Sequence, residues 1–193
     1  MNSKLFLPVI FIIVITFSCT KKSFVHPVSS APAYVAYLIR SGEHYTDLRP
    51  IKPVSVTEMN FFAKFNQSAI YQNTNPENQD DINKLWGFSE GYNNQFNSAR
   101  IGWGYSDGAI RLYGYVHNKG IRYSQEITSV SPDEEVYCSI KISGGNYIFS
   151  AKGINVTLPR GTTDSVARGF QQYPYFGGDE TAPHDIVIFI KQL

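Results

Sequence analysis

The stretch Ser98–Tyr123 reads S-A-R-I-G-W-G-Y-S-D-G-A-I-R-L-Y-G-Y-V-H-N-K-G-I-R-Y. Two turn signals interrupt it, Ser106-Asp107-Gly108 and Asn118-Lys119-Gly120. An Asp or Asn with a glycine close by, set between aromatic and β-branched runs, is a strong local hairpin signal, because tight hairpin turns need residues that tolerate positive φ. The stretch therefore predicts an antiparallel meander of three strands, the last continuing to about Val130.

Side chains alternate across a strand, so the meander also predicts two faces. On its first strand Ile101, Trp103 and Tyr105 share one face, and Arg100, Gly102 and Gly104 the other. On its second, Arg111, Tyr113, Tyr115 and His117 lie opposite Ile110, Leu112 and Val116. Aromatic planes suit the apolar faces of sugar rings, and Arg, Asn and His satisfy sugar hydroxyls. The candidate ligand-binding set is thus Arg100, Trp103, Arg111, Tyr113, Tyr115 and His117, with Trp103 set apart because it shares a face with Ile101. Glycines at 102, 104 and 114 predict open space or a close backbone approach.

Outward from the meander, Ala33–Ile39, Met59–Phe65, Glu135–Ile142, Asn146–Ala151, Ile154–Leu158 and His184–Lys191 read as strands. The last is apolar on both faces and so reads as an interior strand. Ile82–Phe88 reads as a helical turn or a short strand. The segment running up to Pro53 reads as a polar connection, and Pro159–Arg168 as a loop. About eleven short strands with glycine turns and no long amphipathic helix make an all-β protein, an antiparallel β-sandwich or barrel. The closing run Tyr173–Ile190, with Gly177-Gly178 and the final Asp185-Ile-Val-Ile-Phe-Ile, resembles the end of concanavalin A-like jelly rolls, which implies a β-sandwich of that type.

The N-terminus carries a separate signal. Lys4 precedes the apolar run Leu5–Phe17, which has signal-peptide length and is too short to span a bilayer. Ser18-Cys19 at its end resembles a relaxed bacterial lipobox. That resemblance implies a signal peptide over 1–18, lipidation of Cys19, a flexible tether over 19–32 and a β-sandwich domain over 33–193. Residues 58–193 also resemble uncharacterised envelope lipoproteins of Bacteroidota, through Asp80–Leu85, Asn97–Arg100 and Tyr173–Gly178. The resemblance implies a fold and a compartment, the bacterial envelope, but no reaction; the absence of Asp just after Cys19 argues for the outer membrane.

Composition narrows the function. Aromatic residues make up 15% of the chain and charged residues 17%, the profile of an extracytoplasmic β-protein with a polar surface. Removing residues 1–18 takes away Lys4 and leaves 16 Lys+Arg against 16 Asp+Glu, so the basic footprint of a nucleic-acid binder is missing. There are 2 cysteines. With Cys19 lipidated, Cys138 has no partner, which excludes a disulfide scaffold, and its strand pattern predicts a buried, inert thiol. Glu77, Asn78, Asp80, Asp81 and Asn83 are hard oxygen donors of the kind calcium takes, and Asp185 could join them. The candidate metal ligands are Asp80 and Asp81, in a loop that does not follow the EF-hand pattern, and Asp185 from the last strand.

For catalysis, no strand carries the spaced carboxylates of a glycosidase, and neither a Gly-x-Ser-x-Gly elbow nor a zinc pattern occurs. Arg100, Tyr115, His117 and Gln125 supply the residue types of a jelly-roll polysaccharide lyase without its motifs. The reading is a lipid-anchored, non-catalytic envelope β-sandwich that binds a glycan or another envelope ligand. The alternatives are a structural or protein-interaction lipoprotein and a polysaccharide lyase or hydrolase.

Overall fold

The computed structural model describes residues 32–193; the signal peptide, Cys19 and nearly all of the tether lie outside the described residues. Twelve strands follow in chain order: β1 (Val35–Ile39), β2 (Pro53–Val56), β3 (Glu58–Phe65), β4 (Asn83–Ser89), β5 (Asn97–Ser106), β6 (Ala109–Asn118), β7 (Ile121–Val130), β8 (Val136–Ser143), β9 (Asn146–Ala151), β10 (Ile154–Pro159), β11 (Ala167–Gln172) and β12 (Ile186–Gln192). They form two six-stranded antiparallel sheets, β1-β12-β3-β8-β9-β10 and β2-β11-β4-β5-β6-β7. The chain is a jelly-roll β-sandwich.

The meander is β5-β6-β7, and its register follows from its turns. Asp107 and Gly108 have φ of 48° and 74°, and Lys119 and Gly120 have 51° and 84°. Positive φ at both central residues makes type I′ turns, whose twist matches that of the flanking strands. The first turn sets Arg100 opposite Tyr115 and Ser98 opposite His117.

Between the sheets lies one apolar core. Phe61, Phe65, Phe88, Ile101, Trp103, Leu112, Phe149 and Ile188 are all fully buried in it. The Trp103 ring lies 5.3 Å from Phe65 and 5.8 Å from Tyr71. Cys138 is fully buried on β8, and burial pushes its thiol up to about 12. The other face of the second sheet is free of the core. A bulge between Lys84 and Trp86 keeps Lys84 on that free face while burying both Leu85 and Trp86. Such bulges bend a strand and re-aim its side chains.

The strand expectations need two corrections. β2 forms where a proline-rich connection reads, because it pairs only with β11 at the sheet edge, where a proline's missing N–H costs nothing. The loop expected over Pro159–Arg168 ends early, because β11 begins at Ala167; it runs to Gln172, and the aromatic residues 173–176 lie beyond it.

Candidate functional site

The free face of the second sheet carries a cleft of about 350 Å³. Its floor is β4, β5 and β6, which present Lys84, Arg100, Tyr115 and His117. One wall is the segment 173–178 with Tyr45 and Arg49, and the other is the β4–β5 loop at Asn94 and Gln95.

The first wall is built by pairing across the chain. The Lys84 N–H donates to the Tyr175 carbonyl at 2.8 Å, and the Tyr175 N–H to the Lys84 carbonyl at 2.9 Å. The Tyr175 ring stacks on His44 at 5.3 Å and takes Tyr45 edge-on at 4.8 Å. Gly177 permits this approach: a Cβ there would meet the Lys84 Nζ at 2.5 Å and the Ile82 carbonyl at 2.6 Å. At the opposite wall, the Asn94 side-chain amide donates to the Gln172 Oε1 at 2.8 Å, closing the loop onto β11.

The floor is mainly cationic, and Asp81, which lies against Gly178, acts on Lys84 and Tyr115 without an ion pair to either. Arg100 is only 7% exposed, and among the described residues no carboxylate lies within 4.0 Å of it or of Lys84. No lining side chain is acidic. The guanidinium of Arg100 donates at 3.4 Å to the Asn94 carbonyl and at 3.3 Å to Ser98 Oγ, both long, and its Nε–H has no partner. An Arg carries five N–H donors, so most of this group's hydrogen-bonding capacity is unused. Burial, helped by Arg100 and Arg122, lowers Lys84 to about 8, and burial lowers Arg100 to about 10. The Lys84 ammonium sits between two rings, 4.7 Å from the centroid of Tyr115 and 5.8 Å from that of Tyr175. Burial, with the charges of Arg100 and Lys84, lowers His117, which keeps its imidazole neutral at neutral pH. Burial raises both Tyr115 and Tyr175.

Of the residues singled out in the sequence, Arg100, Tyr115 and His117 meet in this cleft. Arg111 and Tyr113 share their face but lie further along β6. Arg111 is held there by ion pairs to Asp107 at 3.2 Å and Glu126 at 3.0 Å. Trp103 is corrected outright: at 0% exposure it belongs to the core, as its sharing a face with Ile101 requires. Gln125 pairs with Gly114, whose missing side chain faces Phe149 of the other sheet, so it points away from Tyr115 and His117. Of the two roles expected of the meander glycines, Gly102 and Gly114 take the close approach and not open space. A Cβ on Gly102 would meet Ile82 Cγ2 at 2.6 Å, so this glycine serves the close approach of the chain before β4.

The candidate metal ligands are not gathered. Asp185 Oδ1 accepts the Ser41 N–H at 2.8 Å, away from the loop. In the loop, the N–H groups of Thr74, Asn75 and Asn78 donate to the Glu180 carboxylate. Among the described residues no group of three or more His, Cys, Asp or Glu could hold a metal ion.

No family model matches the chain, and no curated protein matches it in sequence. Solved structures do match in fold. The structure of alginate lyase AlyC3 superposes with a TM-score of 0.53 at 10% identity, over 83% of this chain and 74% of that one. Its complex with dimannuronate gives 0.50 at 8% identity, over 83% and 73%. The marine PL7 alginate lyase AlyA1 from Zobellia galactanivorans gives 0.48 at 15% identity, and the matched region spans 62% of its length. The likeness is one of fold.

Lys84, Tyr175, Asn94 and Gln172 are the site residues that sequence reasoning missed. Tyr175 had a signal, the aromatic run ending at Gly177-Gly178. Lys84 had none, since a bulge decides which way it points.

Proposed function

We propose that this protein binds a carboxylated polysaccharide in the cleft, with Arg100 and Lys84 receiving a ring carboxylate and Tyr115 and Tyr175 flanking the sugar. One observation carries this reading: Arg100 is buried at the cleft floor without a carboxylate partner. A buried, unpaired charge costs several kcal/mol, so such groups are normally paired. Among the described residues no carboxylate pairs with it, and a ligand carboxylate supplies the counter-charge. A guanidinium with free N–H groups suits a bidentate contact to that carboxylate. The fold likeness to AlyC3, a lyase solved with dimannuronate, supports a uronate as the ligand. The lipid anchor at Cys19 belongs to the same proposal and rests on the lipobox resemblance: it holds the domain at the outer membrane, where such polymers are met.

A second reading is favoured by His117. A neutral imidazole beside Arg100 suits proton abstraction from the carbon next to a ring carboxylate, whose charge Arg100 and Lys84 would hold. That proton passes to His117, the neighbouring C–O glycosidic bond breaks, a carbon–carbon double bond forms, and a tyrosine O–H protonates the leaving oxygen. One experiment separates the two. The full chain in detergent is titrated calorimetrically with polymannuronate, polygalacturonate and a neutral glucan, and the mixtures are followed by ultraviolet absorbance for unsaturated uronate ends. Binding of a polyuronate without new absorbance supports the first reading, and rising absorbance the second. Failure to bind either polyuronate, or equal binding of the neutral glucan, refutes both.

A further inference from the structure

We infer that the cleft continues into an outlying sugar subsite formed by Tyr92, Phe170 and Arg168. The inference rests on the polysaccharide reading above and extends it to chain length. Tyr92, in the β4–β5 loop, is 94% exposed and contributes nothing to the core. Its ring nevertheless lies 5.4 Å from that of Phe170 at 42°, so two separate segments present one aromatic surface.

That surface is continuous with the cleft on both segments. On β11, Phe170 precedes the cleft residue Gln172 by two positions and so shares its face; Arg168, two positions further and exposed, shares it as well. In the loop, Tyr92 precedes the cleft residue Asn94 by two positions. The hydrogen bond from Asn94 to Gln172 thus closes the cleft between the same two segments that carry the aromatic pair outward. Two strand residues advance roughly 7 Å, a step on the scale of one pyranose residue.

The loop backbone is held where this requires. The Gly91 N–H donates to the Arg168 carbonyl at 2.8 Å, and the Ser89 hydroxyl donates to the Gly91 carbonyl at 2.9 Å. The Phe170 N–H donates to Ser89 Oγ at 3.1 Å. Glu90 is clamped by Arg160 at 2.6 and 2.9 Å. A tyrosine on a fixed backbone offers a broad apolar plane at little entropic cost. The row Gln172, Phe170, Arg168 then alternates a polar contact, a stacking plane and a cation, which suits a polymer with a carboxylate on each ring.

The test uses the full chain and oligomannuronates of increasing length, from the dimer upward, with affinity read calorimetrically. In the native protein affinity rises with length. Tyr92→Ala loses about fivefold to tenfold for long oligomers, the scale of burying one aromatic face, and nothing for the dimer. Tyr92→Phe retains the native values, because the ring and not the hydroxyl is used. If Tyr92→Ala follows the native protein at every length while both bind, the subsite is wrong and the cleft reading stands. An equal loss for dimer and long oligomers also overturns it, since Tyr92 would then act through the cleft. If the native protein binds no oligomannuronate, the subsite falls; the cleft reading falls with it only where polygalacturonate is not bound either.

Discussion

Replacing Arg100 with methionine separates what this residue does for the ligand from what it does for the fold. Methionine roughly keeps the volume and removes the charge. In the native fold Arg100 is 7% exposed; its guanidinium has no carboxylate within ion-pair distance among the described residues and makes hydrogen bonds of only 3.3 and 3.4 Å, with its Nε–H unpartnered among those residues. Little therefore offsets its desolvation. Replacing buried ionic groups by apolar residues of similar size often stabilises a protein by about 1–4 kcal/mol, and an unpaired group belongs at the favourable end. For a domain of this size that is a rise in Tm of about 3–12 °C. Polyuronate binding should fall by about 30-fold or more, since truncating one partner of a buried charge pair costs about 2–5 kcal/mol. Calorimetric unfolding and ligand titration of Arg100→Met beside the native chain measure both. A destabilisation of more than about 1 kcal/mol would mean that Arg100 is a structural hydrogen-bonding element and would refute the reasoning, as would unchanged affinity.

Four further outcomes follow from the same structure. Lys84 is held down to about 8, so polyuronate affinity should fall as pH rises from 7 to 9, and Lys84→Gln should abolish that fall. The lowered His117 and the raised Tyr115 and Tyr175 titrate outside this window. Stability should move the other way: unfolded Lys84 returns to 10.5, the unfolded chain binds more protons between about 8 and 10.5, and denaturant midpoints should gain from this group as pH rises through that range. Glu90→Ala should cost about 3–5 kcal/mol in chemical unfolding, because it strands the Arg160 guanidinium, whose side chain is 0% exposed, and removes the acceptor of the Tyr147 hydroxyl. Cys138 should resist thiol reagents at pH 8 until the domain unfolds, since it is fully buried and pushed up to about 12; rapid labelling of the folded protein would contradict the core described above.

Parts of the site were legible because they are local. Arg100, Tyr115 and His117 sit on adjacent strands joined by a tight turn, so alternation and turn chemistry alone bring them to one face. The same logic included Arg111 and Tyr113, which share the face but not the cleft, because a face runs the length of a strand and a cleft does not. Trp103 was ambiguous by chemistry and settled by its neighbours: Ile101 on its face turns inward, and Trp103 follows it. Gln125 fits the site by residue type alone, and its register puts it on the opposite face.

The amino-acid sequence by itself determined the all-β class, the meander, the inward and outward faces of its strands and the inert thiol. Period-two alternation and positive-φ turns act over a few residues, and no distant contact changes them. Only the tertiary structure decided that the Arg100 face is a cleft. Its walls come from Tyr45, Tyr175 and Asn94, brought together by backbone pairing between segments far apart in the chain, and the Lys84 ammonium reaches the floor through a bulge. The absence of any acidic side chain from that cleft is likewise a tertiary fact, since the chain as a whole has 17 basic and 16 acidic residues. Folding sorts those charges in space, and leaves Arg100 buried with no carboxylate within ion-pair distance among the described residues.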